Sequence, residues 1–275
     1  MTARAGLEAA AQRLAAEGVP DARREARLLL LAAGGPDPLL DPQAPLDPVA
    51  GTFYAMVRRR RAREPFAYIV GHREFYGLRL SVRPGVLVPR PETEGLVEHA
   101  LALAPAAGRV ADLCTGSGAV AAALAVERPD LVVDAVDISP AALEVARDNI
   151  AALRLQDRVR LHQGDLWAAL PEGSYNLCTC NAPYVTEAEW EAAEPEVRRW
   201  EPQVALVAPE GWPALYRRLA EGAVGRLVPG GHLLAEIGAG QGEGIAAVFQ
   251  AAGLGEVRIL PDLAGRPRYA VGRCR

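Results

Sequence analysis

The 275-residue chain contains no lysine: all 30 of its basic residues are arginine. That absence excludes chemistry. Without a Schiff-base lysine there is no pyridoxal-phosphate enzyme and no imine-forming aldolase. Without G-x-x-x-x-G-K-[ST] there is no Walker-A nucleotide loop, and without a strand lysine no ordinary protein kinase. Codon usage in a GC-rich genome accounts for the bias without any function. Cysteine is scarce as well. Cys114, Cys178, Cys180 and Cys274 form no C-x-x-C pair and show no zinc-ligand spacing with the four histidines, so buried reduced thiols and no metal site are expected. No uninterrupted apolar run is long enough to span a bilayer. Arg4, Glu8 and Arg13 stand where a signal peptide needs an apolar core. The net charge of −4 gives no global attraction to nucleic acid or an anionic membrane. These absences together point to a cytoplasmic protein.

What remains is an ordinary globular composition, 50% hydrophobic and 23% charged, of a length that predicts one large domain or a large and a small one. Residues 1–65 read as a helical domain. Leu7, Ala10, Ala11 and Leu14 fall at helical spacing, and a second apolar face starts at Leu28 after the Gly18-Val19-Pro20 break. Five prolines from Pro36 to Pro48 mark an irregular connection before Phe53, Met56 and Val57 resume the period. Arg58 to Arg61 plus Arg63 form the densest positive charge. Its plain reading is a solvated helix face, and its alternative a surface for an acidic or RNA partner. Residues 66–92 read as a β-hairpin linker: Tyr68-Ile69-Val70, Phe75-Tyr76 and an alternating run from Leu78 to Val82 each meet turn glycines or prolines.

From residue 93 to 275 short β-rich runs alternate with helical patterns. The runs lie at 109–113, 131–136, 159–162, 175–180, 232–237 and 257–260; the helical patterns at 119–127, 140–153, 213–227 and 244–252. This alternation predicts an α/β domain with a mostly parallel, doubly wound sheet.

Four strand ends carry candidate chemistry. The first run closes in Asp112-Leu113-Cys114-Thr115-Gly116-Ser117-Gly118, a glycine turn opening a helix, where a ligand can approach the backbone closely. It departs from the dinucleotide fingerprint G-x-G-x-x-G, and a glycine turn alone is weak evidence. The second run ends in Asp137, about twenty residues on, at the place where a carboxylate holds a ribose diol. The third leads into Gln163-Gly164-Asp165-Leu166, which puts a carboxylate where an adenine amino group could be read. Each Asp by itself is more often a cap or turn former. With no pyrophosphate clamp in sight, the set suits a nucleoside with a charged, non-phosphate tail. The fourth run ends in Asn181-Ala182-Pro183-Tyr184: an amide, a rigid turn and an aromatic, suited to a planar amide or amine, though in isolation an ordinary Asn-Pro turn.

Together these residues resemble the release-factor glutamine methyltransferases, the HemK/PrmC family. The likeness runs through Asp21 to Ala26, Tyr68-Ile69-Val70-Gly71, Pro89-Arg90-Pro91-Glu92-Thr93-Glu94, Asn181 to Tyr184, Glu201-Pro202, Glu236-Ile237-Gly238 with Gln241, and Asp262 to Gly265. It departs at three positions, where the family usually has Gly for Cys114, an aromatic for Leu166 and Pro for Ala182. The resemblance implies a Rossmann-like class I methyltransferase domain with S-adenosyl-L-methionine as cofactor. Asp112, Cys114, Thr115, Gly116, Ser117, Gly118, Asp137, Asp165, Leu166 and Asn181 would bind it. It also implies methylation of a glutamine amide in the Gly-Gly-Gln loop of a peptide-chain release factor, with the N-terminal domain helping to recognise that partner. In this reading the Asn181 side-chain oxygen and the Ala182 carbonyl accept the amide hydrogens, Pro183 fixes the turn and Tyr184 stacks on the amide plane. Three alternatives stay open from the sequence: a small-molecule amide or amine, an adenine amino group, and a non-catalytic cofactor-binding partner protein.

Overall fold

Three apolar cores organise the chain, one among the N-terminal helices and one on each face of the sheet. The structure, a computed structural model, describes residues 1–275 and divides into two units: Met1–His72 with Glu194–Trp200, and Arg73–Ala193 with Glu201–Arg275.

In the first unit α1 (Ala3–Ala16), α2 (Ala22–Ala32) and α3 (Ala50–Arg61) bury Leu7, Leu14, Leu29, Leu30, Phe53 and Val57 in one cluster. Next comes α4 (Phe66–Val70), where the sequence reading expected the beginning of β structure. Phe66-Ala67-Tyr68-Ile69-Val70 has β-type composition, but its borders decide the conformation. Pro65 opens the turn as N-cap, and Gly71 closes it in the left-handed region at φ 80°.

The arginine run belongs to this unit and is divided by the structure: Arg58, Arg59 and Arg61 stay exposed as a solvated face would, while Arg60 and Arg63 turn inward. Arg60 is only 3% exposed and donates to Glu25 (Nε–Oε2 2.5 Å) and to Glu196 (Nη1–Oε1 2.7 Å). Arg63 reaches Glu196 at 2.6 Å and Glu194 at 3.1 Å, while Arg59 holds Glu64 and Arg61 holds Glu17. The paired arginines are met by carboxylates of the same unit: Glu17 at the end of α1, Glu25 in α2, Glu64 after α3, and Glu194 and Glu196 in the Glu194–Trp200 segment that includes α9 (Pro195–Trp200). Only Arg58 is exposed without an ion-pair partner.

The second unit opens with the hairpin β1 (His72–Phe75) and β2 (Leu78–Ser81), joined through Tyr76 and Gly77, both at positive φ (49° and 72°). That pair of angles is the tight hairpin turn that matches strand twist. The Tyr76 N–H donates to Glu94 Oε1 at 2.9 Å. After α5 (Glu94–Leu103) the alternation runs β3 (Arg109–Leu113), α6 (Ala119–Glu127), β4 (Val132–Asp137), α7 (Pro140–Ala152), β5 (Val159–Gln163) and β6 (Tyr175–Cys180). A short α8 (Glu187–Glu191) follows, then α10 (Trp212–Arg226), β7 (Leu227–Glu236), α11 (Gly242–Ala251), β8 (Gly255–Pro261) and β9 (Pro267–Arg273).

The seven main strands are ordered β5-β4-β3-β6-β7-β9-β8. Strands β3 to β7 pair in parallel, and β9 runs antiparallel between β7 and β8. Helices α5 and α6 cover one face and α10 and α11 the other, each over a continuous apolar core. This is the mostly parallel, doubly wound sheet that the sequence predicts. Its reversal at β3, where the chain leaves for β4 on one side and β6 on the other, opens a crevice at the carboxyl ends of the strands.

The Arg60 pairs generate a stability prediction. Truncating one member of a buried ion-paired group strands its partners and costs about 3–5 kcal/mol. Chemical denaturation of Arg60→Ala should show a loss of that size, with Arg58→Ala within about 0.5 kcal/mol of the parent. Equal, small effects at both positions would contradict the assignment.

Candidate functional site

The crevice has a volume of about 280 Å³ and is lined at its base by Asp112, Cys114, Thr115, Gly116, Ser117 and Asp137. Leu113 pairs with Val136 on one side and with Cys180 on the other, which brings the ends of three strands together. Asp112 is buried and accepts from the hydroxyls of Thr115 (2.6 Å) and Thr179 (2.8 Å). Burial pushes its carboxyl up to about 6 despite those donors. Asp137 holds two backbone donors, Gly116 N on Oδ2 (2.8 Å) and Ser139 N on Oδ1 (2.9 Å). Each oxygen keeps a lone pair, and burial raises this carboxyl as well.

Gly116 sits at φ 56°, where an added Cβ would meet only Val86 at 4.0 Å, so its missing side chain leaves open space in the crevice. Gly118 does not line the crevice. Its φ is 78°, and a Cβ there would approach Ala146 Cβ to 3.2 Å, so this glycine allows α6 to pack on α7. Cys114 and Leu166 are held at φ 59° and 46°. A side chain in that left-handed region costs about 1–2 kcal/mol, which is the physical reason for a glycine at the first position. Leu166 still lines the crevice, as does Asp165, whose carboxylate is ion-paired with Arg218 and therefore engaged rather than free. At the mouth Ile138 and Val204 stand 57% and 48% exposed, an apolar rim of the kind that marks a binding cleft.

The sequence motif after β6 is divided by the structure. Asn181 and Pro183 line the crevice, while Ala182 is buried in the core below it. Tyr184 is half-buried outside the lining set. Its hydroxyl donates to Glu236 Oε1 at 3.0 Å, and its carbonyl accepts from Gln241 Nε2 at 2.7 Å. Two residues without an assigned role in the sequence reading complete the corner. Glu236 ends β7 next to the end of β6, and its Oε2 accepts from the Thr93 hydroxyl at 2.7 Å; Thr93 in turn accepts from Asn181 Nδ2 at 3.1 Å. Burial raises the Glu236 carboxyl, and raises the Tyr184 phenol above the usual range. Arg90, also in the lining, is paired with the buried Glu201, whose other oxygen accepts from Val88 N at 3.2 Å.

Comparison with known proteins shows the family. Residues 6–71 match the PrmC N-terminal domain and residues 92–195 the methyltransferase small domain. A release factor glutamine methyltransferase of Cereibacter sphaeroides is 47% identical over 277 residues, covering 99% of this chain and 99% of its own. The chain belongs to the release factor glutamine methyltransferase family. Another member, from Neisseria gonorrhoeae, is 46% identical over 220 residues, 79% of this chain and 80% of its own. Among solved structures the hMettl16 catalytic domain covers 83% of this chain and 80% of its own at TM-score 0.61 and 17% identity, a likeness of fold.

The cofactor of this methyltransferase is S-adenosylmethionine, and the residues present fit it. The open space at Gly116, lone pairs on Asp137 and a base of carboxylates suit a nucleoside carrying a positively charged tail, and the two arginines in the lining, Arg90 and Arg218, are already paired with carboxylates.

The raised Asp112 carboxyl gives a test of the site's electrostatics. A folded-state pKa above the unfolded one favours the folded chain at low pH, and that contribution is lost as pH rises through about 6. Relative to the parent, Asp112→Asn should therefore gain stability between pH 5 and 7.5. A shift from 3.8 to about 6 corresponds to about 3 kcal/mol over the whole titration, of which about 1.4 kcal/mol falls between pH 5 and 7.5. Denaturation at both pH values checks this; a pH-independent difference would contradict it.

Proposed function

We propose that this chain methylates the side-chain amide nitrogen of a glutamine in the Gly-Gly-Gln loop of a peptide-chain release factor. The observation that carries the reading is Asn181, held beside the crevice at the end of β6 with its Nδ2 engaged and its Oδ1 without a protein partner.

An amide nitrogen is a poor nucleophile because its lone pair is delocalised into the carbonyl. S-adenosylmethionine, when bound, supplies a methyl group on a sulfonium that needs no further activation. The work left to the protein is positioning and charge stabilisation. Asn181 Oδ1 and the Ala182 carbonyl accept the two amide hydrogens, which orients the nitrogen and disperses the positive charge that develops on it. Ala182 contributes main chain, so the absence of a second proline keeps the acceptor and relaxes only the loop. Tyr184 is tied to Glu236 and Gln241, which supports a structural share for it: it fixes the segment that carries both acceptors.

Cofactor binding falls in this reading to Asp137 for the ribose, to Asp112 and the 114–117 turn for the charged tail, and to Leu166 for the adenine. The helical unit that matches the PrmC N-terminal domain recognises the release factor. No helix is long and apolar enough to cross a membrane, and the four cysteines are free, in keeping with a cytoplasmic enzyme acting where release factors act.

Incubation with labelled S-adenosylmethionine and purified release factor, with DNA as a parallel acceptor, tests the assignment. The label should appear on the glutamine of the Gly-Gly-Gln peptide by mass spectrometry. Asn181→Ala should lower the rate by about 10²–10³ with cofactor affinity within about threefold of the parent. Label on DNA alone, or an unimpaired Asn181→Ala enzyme, would overturn the reading.

A further inference from the structure

The corner behind Asn181 is a directed chain of hydrogen bonds, and its direction has one source. Glu236 is 1% exposed, and each of its oxygens faces a hydroxyl: Tyr184 at 3.0 Å and Thr93 at 2.7 Å. Both hydroxyls donate to it, Tyr184 to Oε1 and Thr93 to Oε2. Thr93 has a single proton. With that proton committed to Glu236, its oxygen offers only lone pairs to Asn181, and the group that can lie 3.1 Å away is the carboxamide NH₂. Oδ1 is then the end of the carboxamide that Thr93 leaves unengaged, and both residues line the crevice.

We infer that Thr93 and Glu236 are positioning residues whose hydrogen-bond polarity sets the Asn181 carboxamide with its oxygen toward the substrate. The inference rests on the reading of Asn181 as an acceptor for the substrate amide. It adds to that reading an account of why the acceptor is the oxygen and not the NH₂. A carboxamide has two ends of nearly equal shape and opposite hydrogen-bonding character. With the NH₂ outward, Asn181 would present donors to a substrate nitrogen that itself carries only donors. The two orientations differ in rate, and the protein must separate them by a bond that tolerates one only.

The arrangement follows from the fold. Asn181 lies one residue beyond Cys180 on β6, and Glu236 one residue beyond Ala235 on β7; Cys180 and Ala235 are partners in the parallel ladder. The register therefore sets Glu236 beside Asn181. Thr93 comes from the turn Pro91–Thr93 at the start of α5 and fills the space between them. Tyr216 adds to the rigidity of the corner, because its hydroxyl donates to the Glu236 carbonyl. The position also confers selectivity. An outward acceptor at this point favours a nucleophile that brings two N–H donors, such as a primary amide, over a carboxylate, which brings none.

The test is a double-mutant cycle on turnover, with the full chain, S-adenosylmethionine and purified release factor. Thr93→Val removes the hydroxyl at nearly constant volume and should lower kcat by about 10–100-fold, with KM for the release factor within about threefold. Thr93→Ser keeps the hydroxyl and should restore at least a third of parental kcat. Glu236→Gln, which can donate to Thr93 and so frees the Thr93 proton for Asn181, should lower kcat in the same range. In the Asn181→Ala background Thr93→Val should cost nothing further, because a residue acting through Asn181 has nothing left to orient. Parental kcat in Thr93→Val, no recovery in Thr93→Ser, or a full multiplicative loss on top of Asn181→Ala would overturn the positioning role while leaving Asn181 as the acceptor. Parental turnover in Asn181→Ala would instead overturn the acceptor reading itself, and this inference with it.

Discussion

Carboxylates at the carboxyl ends of the strands, Asp112 and Glu236 buried and Asp137 half-buried, draw their donors from the protein because little water reaches them. The site is built on that requirement. Asp112 on β3 takes two threonine hydroxyls, Asp137 on β4 takes two backbone N–H groups, and Glu236 on β7 takes a tyrosine and a threonine hydroxyl. Each set of donors fixes something else in passing. Asp137 shapes the 114–117 turn through Gly116, and Asp112 ties that turn to β6 through Thr179. Glu236 links β7, the start of α5 and the loop after β6. A parallel sheet delivers all three carboxylates to one edge, so a single fold-level rule produces both the crevice and its charge.

Much of this was legible in the sequence, for identifiable reasons. Buried parallel strands read as short apolar runs, so β3 and β6 fall at the boundaries expected from their composition, and α6 likewise. Strand β9 leaves no mark in the sequence pattern. Arg268 and Arg273 interrupt its apolar alternation, and nothing local reveals that it inserts between β7 and β8. Helix α5 was missed because Glu94, Glu98 and His99 dilute its apolar face. The turn α4 was misread because β-type side chains outweighed the proline and glycine at its ends. Of the site residues, the glycine turn, Asp137 and Asn181 stood out because each is an unusual residue at a strand end. Thr93 and Glu236 were quoted within motifs but given no role, since their contact joins positions 143 residues apart. Gly118 shows the opposite error: it belongs to the motif, yet its lack of a side chain serves helix packing.

The missing lysines appear in a different light beside this chemistry. Orienting an amide calls for carbonyl acceptors and ordered carboxylates, and no amine takes part. Arginine takes the side-chain cationic roles instead, and in the helical unit Arg60 and Arg63 do so inward. A dense arginine run reads as exposed because its partners, Glu25 and Glu196, are far away in sequence. Its geometry suits planar, multidentate pairing with several carboxylates at once, which a lysine ammonium would match less well.

The central claim is that Asn181 presents its oxygen, not its nitrogen, to the substrate amide. A crystal structure with the demethylated cofactor and a release factor bound tests this most directly. The account predicts the glutamine side-chain nitrogen within about 3 Å of both Asn181 Oδ1 and the Ala182 carbonyl, with Asn181 Nδ2 still on Thr93. A glutamine nitrogen bound away from Asn181, or an Asn181 whose NH₂ faces the substrate while its oxygen faces Thr93, would contradict it.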